Sequence, residues 1–350
     1  MRYSVVPGDS QADQEQLLRL WTNHFFRNQT KARSRYQWMY ADNPEGPPKI
    51  WLVKDAEGSV VGATAVAARR LRILGREVLA GQAVDLVVEP EHRTVLPALL
   101  LHRAILRELP NSDFDLLYGF PNERSEKVVL RAGYRRLGAL RRWSRPLRVR
   151  DRLEPLLRWK PLTRASSLFV ETGLRLTWHP ALRGGVRDCY GAVLDEPPLG
   201  LNDLGHGSGL GCQALGCRSG KFLAWRFKGG PARHRFFQVT RTDSTLLGYI
   251  AFRIDDGSAS VSDFFAIDVG AMTRVFLVFS EWIRTSGAKT ISLSFMGSPL
   301  FQDSLQRSGF FRRDSEGSVV VYPGPSLSPE ETETVMDKDG WFLTVADRDV

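Results

Sequence analysis

Val84-Asp85-Leu86-Val87-Val88-Glu89-Pro90-Glu91-His92-Arg93-Thr94-Val95-Leu96-Pro97-Ala98 passes from one kind of backbone to another within fifteen residues. Its apolar, β-branched opening predicts a strand through Val88. Pro90 has no N–H to offer a neighbouring strand, and so ends it. Arg93 stands in the turn, and from about Thr94 to Glu108 apolar residues recur at helical spacing. The first N–H groups of such a helix lack partners, and the helix dipole favours an anion beside them. The stretch is therefore either an ordinary strand–turn–helix connection or a site for phosphate groups.

On the N-terminal side, Arg2 to Val6 alternates like a short strand. Ser10, with Asp13 three residues on, suits a helix cap, and the spacing of Leu17, Leu18, Leu20, Trp21 and Phe25 predicts a helix to about Phe26. A second helix is expected around Ala32–Tyr40, and residues 43–48, rich in Pro and Gly, form a loop. Strands follow at 49–54, 59–68, 71–74 and 77–88, with turns at Glu57-Gly58 and Gly75-Arg76, as an antiparallel meander. Beyond the helix, a strand covers 114–120 and a short helix ends at Gly133-Tyr134. A long strand then runs toward Leu147.

This order, β-α-α-β-β-β-α-β-α-β, resembles that of GNAT N-acetyltransferases, whose acyl-CoA pyrophosphate loop reads Arg/Gln-x-x-Gly-x-Gly/Ala. Arg93 and Ala98 match that loop, whereas Leu96 stands where the family has Gly, and Pro97 is unusual. Asn122, Ser125 and Gly133-Tyr134 match the family's later segment, Asn followed by Gly-Phe/Tyr. The resemblance implies a mixed α/β fold and an acyltransferase that uses acetyl-CoA or another acyl-CoA as co-substrate, with no metal.

The pattern recurs. Trp38 and Pro44 have counterparts 187 residues later in Trp225 and Pro231. Gly62 corresponds to Gly248, Asp85-Leu86-Val87-Val88 to Asp263-Phe264-Phe265-Ala266, and Gly133-Tyr134 to Gly309-Phe310. Ala271–Ser286 then reads as the long helix and Thr290–Met296 as the strand after it. The turn before that helix, residues 267–271, has no Arg, and its Asp268 would repel pyrophosphate. We expect two GNAT-like domains, each a curved, mostly antiparallel sheet flanked by helices. Residues 1–147 carry the acyl-CoA site, 148–200 form a basic linker, and 201–350 form a degenerate second unit.

The chain has 350 residues, 43% hydrophobic and 25% charged, with a net charge of +9. That composition fits a folded protein with sizeable cores. The charge is concentrated. Between Arg135 and Arg164 eleven cations face only Asp151 and Glu154, interleaved with leucines and Trp159. The segment reads as a linker helix packed between domains, or as a surface for nucleic acid or peripheral membrane contact. Cys189, Cys212 and Cys217 are odd in number and predict reduced thiols rather than a disulfide framework. No apolar run approaches the ~18 residues of a membrane span, and the first residues lack an apolar signal core, so a cytoplasmic protein is expected.

The chemistry implied by the resemblance needs a phosphate site, a strand edge, a base and a thiolate donor. Arg93, Thr94, Val95, Leu96 and Ala98 supply the first, and the backbone of Val87 and Val88 the second. Asn122 and Ser125 complete the expected acyl-CoA contacts. Asp85, two residues before Val87, should share its strand face and act as base directly or through water. A shared structural role with Asp263 is the alternative. The tyrosine that many family members carry four residues before the Gly of Gly-Phe/Tyr is Val129 here. Tyr118 or Tyr134 would replace it, or the thiolate leaves unassisted. His92 stands next to Arg93 and is either a phosphate contact or a turn residue.

The acceptor is a small primary amine, with an amino sugar or nucleotide sugar suggested by similarity to GNAT proteins of polysaccharide-assembly loci. Asp347 and Asp349 are expected at the edge of its cleft. Two rival readings remain: an aminoacyl-tRNA-dependent aminoacyltransferase of cell-wall type, and a non-catalytic protein of the same fold. Oligomeric state is not legible.

Overall fold

The computed structural model describes residues 3–26, 28–147, 186–204, 208–230 and 232–349. Most of the basic run, from Arg148 to Arg164, lies outside them.

The first half opens with β1 (Ser4–Gly8) and α1 (Gln14–Trp21), which continues as a π-helical turn, Thr22–Phe26. Asp13, rather than Ser10, stands at the N-cap of α1, and its carboxylate accepts from Asp9 N–H. Helix α2 (Gln29–Tyr36) is capped by Asn28 and runs into a second π-helical turn, Gln37–Ala41. Strands β2 (Lys49–Lys54), β3 (Val60–Ile73) and β4 (Arg76–Val88) form the meander; β3 is one strand where the sequence suggests two. Then come α3 (Val95–Glu108), β5 (Leu116–Gly119), α4 (Glu123–Ala132) and β6 (Arg135–Pro146).

The second half runs through β7 (Cys189–Leu194), β8 (Ala214–Gly216), α5 (Gly220–Phe227), β9 (Arg235–Arg241), β10 (Leu246–Asp255) and β11 (Ser258–Ala266). Helix α6 (Val269–Thr285), β12 (Thr290–Met296), α7 (Pro299–Arg307) and β13 (Phe311–Pro323) follow. Helix α8 (Pro329–Met336) and β14 (Trp341–Thr344) close the chain. Strand β7 falls inside the stretch expected to be linker and pairs with β9 as β1 pairs with β2.

Two glycines sit at like places in their sheets. Gly62 lies opposite Val88 and Gly248 opposite Ala266. A Cβ on either glycine would run into the carbonyl of the facing strand, of Val87 and of Phe265 respectively. Only glycine lets the two backbones approach so closely.

The two sheets join through an exchange of last strands. Strand β13 enters the first half between β5 and β6, and β6 reaches across to pair with β12. All fourteen strands among the described residues thereby belong to one continuous sheet. Strands β8 and β14 form a further bridge, since β8 pairs with β3 and with β14, and β14 pairs with β12. One apolar cluster under α1 and α2 includes Trp21, Tyr40, Val84 and Val87, and another under α3 and α4 includes Leu101, Ile105, Val129 and Tyr134.

Candidate active site

Strands β4 and β5 pair in parallel over only four positions, from Ala80–Leu116 to Ala83–Gly119. Beyond Ala83, β4 keeps only β3 as a partner. Two residues, Asp85 and Leu86, then face the single Thr64 between the pairs Ala65–Val84 and Ala63–Val87. This is a β-bulge, and Asp85 takes φ +53° in it. The bulge turns β4 away from β5 and opens a cleft of about 1060 Å³ that reaches both faces of the sheet. On the α3–α4 face its walls include His102, Asn122, Ser125, Val129 and Tyr134. On the α2 face they include Phe25, Phe26, Lys31, Arg35, Trp38 and Asp85. Gly229, Gly230, Arg348 and Asp349 from the second half complete that side.

The same bulge alters the alternation by bringing Val84 onto the side of Val87, in the cluster under α1 and α2. Asp85 stays on that side too, bonded to Tyr40 of the same cluster. The Asp85 carboxylate accepts from Arg35 Nη2 at 3.0 Å and from Tyr40 OH at 3.2 Å, and both charged side chains are about nine-tenths buried. Asp85 is thus held in an ion pair at the cleft wall. Asp349 stands on the same side. Burial raises its carboxyl above the ordinary range and Asp85 adds to that, against the pull of Arg35. Arg35 also donates to the Asp349 backbone carbonyl at 2.6 Å, which ties the end segment to α2.

Asp347 is turned elsewhere, into a buried network. Arg218 Nη2 donates to it at 2.6 Å and to Asp263 at 3.2 Å, and Arg69 adds a third cation–carboxylate contact at 3.3 Å. Asp263, the counterpart of Asp85, therefore has a structural role. Tyr118 also departs from expectation. It is fully buried, away from the cleft wall, with its hydroxyl directed at the Asp347 carbonyl 3.4 Å away. Its neighbours on β5 are core residues, and nothing in the apolar pattern separates it from them.

At the start of α3, Thr94 is the N-cap but its side chain makes no capping bond. Pro97 falls in the first turn, where a missing N–H costs nothing. Val95 and Leu96 are exposed. Arg93 is folded back, against expectation: Nε donates to the Val88 carbonyl at 2.9 Å and Nη2 lies 3.1 Å from His24 Nδ1. His24 Nε2 in turn meets Glu89 at 2.6 Å. His92 pairs with Tyr3 OH at 3.1 Å instead of facing the turn. Asn122 caps α4 by accepting from the N–H groups of Arg124 and Ser125, each at 3.0 Å.

Residues 10–139 match the Acetyltransferase (GNAT) domain family. No curated protein sequence matches the chain. Solved structures share the GNAT fold over nearly its whole length. A conserved protein of unknown function from Enterococcus faecalis V583 superposes with TM-score 0.64 at 10% identity, covering 93% of this chain and 73% of that one. The GCN5-related N-acetyltransferase from Anabaena variabilis gives 0.62 at 14% identity, covering 91% and 72%. Eis1 from Mycobacterium abscessus gives 0.56 at 14%, covering 92% and 73%.

Against the open cleft of the first half, the corresponding place in the second is filled. Strands β11 and β12 pair over four positions and then part as β4 and β5 do, but β14 pairs with β12 beyond that point. The start of α6 is capped by its own Asp268, whose carboxylate accepts from Ala271 N–H at 2.7 Å. Gly209 packs against the backbone just before it, too closely for any side chain. Among the described residues no group of three or more His, Cys, Asp or Glu could hold a metal ion, and no helix is long and apolar enough to cross a membrane.

Proposed function

We propose that this chain transfers an acetyl or other acyl group from acyl-CoA to a primary amine. One observation carries the reading: a cleft through the sheet, lined by Asn122 and Ser125 on one face and by carboxylates beside aromatic rings on the other. The uncapped start of α3 at Thr94 lies outside its lining. The N–H groups of Val95, Leu96 and Ala98 would hold the pyrophosphate, with Arg93 adding charge after leaving the Val88 carbonyl. The edge of β4 at Val87 and Val88 would pair with the pantetheine amides, and a backbone N–H there would stabilise the developing oxyanion. Asn122 and Ser125 line the approach from the thiol side.

Asp349 would take the proton from the acceptor ammonium. It is better placed than Asp85, whose oxygens are committed to Arg35 and Tyr40. A thiol of pKa ~8.5 leaves without a tyrosine donor at neutral pH, which agrees with Val129 at that position. Phe25 and Phe26 offer faces for a sugar ring, and Lys31 and Arg348 suit a phosphate. These features favour an amino sugar or nucleotide sugar as acceptor. In this reading the chain is a tandem GNAT protein whose second unit binds no acyl-CoA and completes the acceptor side.

Calorimetric titration of acetyl-CoA, followed by thiol release in the presence of a panel of amino sugars, tests the proposal. Saturable binding with amine-dependent thiol release is expected. No binding would favour the non-catalytic reading. Native mass spectrometry showing tRNA bound in place of CoA would favour the aminoacyltransferase.

A further inference from the structure

His102 of α3 and Tyr134, just before β6, meet edge to face at the α3 side of the cleft, with ring centroids 5.7 Å apart. They are 2% and 3% exposed. Neither ring nitrogen of His102 nor the hydroxyl of Tyr134 has a hydrogen-bond partner among the described residues. Buried polar atoms are nearly always paired, and an unpaired one costs stability. Three together, on residues that line a cleft, mark a place built for something other than packing. Their neighbours on α3, Leu99, Leu101 and Ile105, show what packing alone selects there.

The chemistry of the pair narrows its ligand. Burial holds the His102 imidazole neutral, with its pKa lowered to about 4, so it offers one donor and one acceptor. The phenol offers one donor and lone pairs. Val129 and Val320 of the same wall are apolar. A neutral set of this kind in an apolar wall rejects charge and suits a group that both gives and accepts hydrogen bonds.

We propose that His102 and Tyr134 form a subsite for a neutral amide or hydroxyl group of the acyl donor. This rests on the acyl-CoA reading of the cleft. Two sources carry such a group: the amides of the pantetheine arm, common to every acyl-CoA, and a hydroxyl on the acyl chain itself.

The test compares wild type with His102→Phe and Tyr134→Phe, titrating CoA, butyryl-CoA and 3-hydroxybutyryl-CoA by calorimetry and following thermal unfolding without ligand. Each variant should melt no lower than wild type, because the atoms removed have no protein partners. Each should bind more weakly by roughly five- to thirtyfold, the loss of one hydrogen bond to a buried group. Equal weakening for all three ligands identifies the pantetheine amides. Weakening confined to 3-hydroxybutyryl-CoA identifies the acyl hydroxyl. Wild-type binding retained in full by both variants overturns the subsite, as does a lower melting temperature with unchanged affinity. Absence of binding by wild type overturns the acyl-CoA reading and the subsite with it.

Discussion

Trp38 and Trp225 each donate the indole N–H to the other's backbone carbonyl, at 3.0 and 2.8 Å. Their rings are stacked, with centroids 5.0 Å apart and planes 19° from parallel. The contact is reciprocal. It joins the halves beside the cleft, where Trp38 is part of the wall. Replacing either Trp by Phe should lose one hydrogen bond and part of the stacking, about 1–2 kcal/mol. The double variant should lose less than the sum, with a coupling of about 0.5–1.5 kcal/mol. Urea unfolding of the four proteins measures this. Strict additivity would mean that the rings do not support each other.

The starts of α3 and α6 invite an exchange of caps. Thr94→Asp should cap α3 as Asp268 caps α6, raising stability by up to about 1 kcal/mol. It should weaken acetyl-CoA binding by roughly tenfold or more, since the new carboxylate faces the phosphates. Asp268→Ala should cost about 1 kcal/mol and leave acetyl-CoA binding unchanged. Calorimetry and thermal unfolding read both. Unchanged affinity in Thr94→Asp would place the phosphates elsewhere.

The two cleft carboxylates should separate cleanly. Asp349→Asn should lower kcat by roughly a hundredfold or more with little change in KM for acyl-CoA. A base acts when deprotonated, so the wild-type rate should rise with pH through the Asp349 pKa. Because burial raises that pKa, the acidic limb should lie above the ordinary carboxylate value of 3.8. The limb should vanish in Asp349→Asn. Asp85→Asn should instead destabilise the fold by about 3 kcal/mol, by leaving buried Arg35 without its charge partner. An acidic limb that survives in Asp349→Asn would rule out Asp349 as the base.

His102 also makes a pH prediction. Its pKa is about 4 in the folded protein against 6.5 for a free imidazole. The unfolded chain therefore binds a proton that the folded one resists, and stability falls as pH drops from 6.5 toward 4. The loss from this residue is about 3 kcal/mol. Urea unfolding at pH 7 and pH 4.5 should show a smaller drop for His102→Phe than for wild type. Parallel losses would mean that His102 already titrates normally.

Much of the fold is legible in local pattern. Pro90 ends β4 and Gly133 ends α4. The cap at the start of α6 is legible in Asp268. The bulge at Asp85 is not, because a run of residues that suits a strand does not reveal where one residue in excess will be lodged. Arg93 can be recognised as the loop arginine, but its resting contact with Val88 and His24 depends on α1, far away in sequence. His102 escapes for a different reason. It lies among leucines on a buried helix face, and no motif distinguishes an unpaired imidazole from a packed one. Asp349 is marked only as an acidic residue near the end of the chain; its place in the cleft comes from the tie to Arg35.

The exchange of last strands has a consequence for how the protein comes into being. While the chain is being synthesised, the first half can fold its meander and α3, but β5 has no neighbour on its outer side until residues 320–323 have emerged. Strand β6 likewise waits for β12 and β13. Contacts of such long sequence separation form slowly. Until then the nascent chain exposes bare strand edges, which are prone to wrong partners. Val320 of the cleft wall arrives only with β13, and Arg348 and Asp349 later still, so a chain truncated before β13 would lack that part of the cleft.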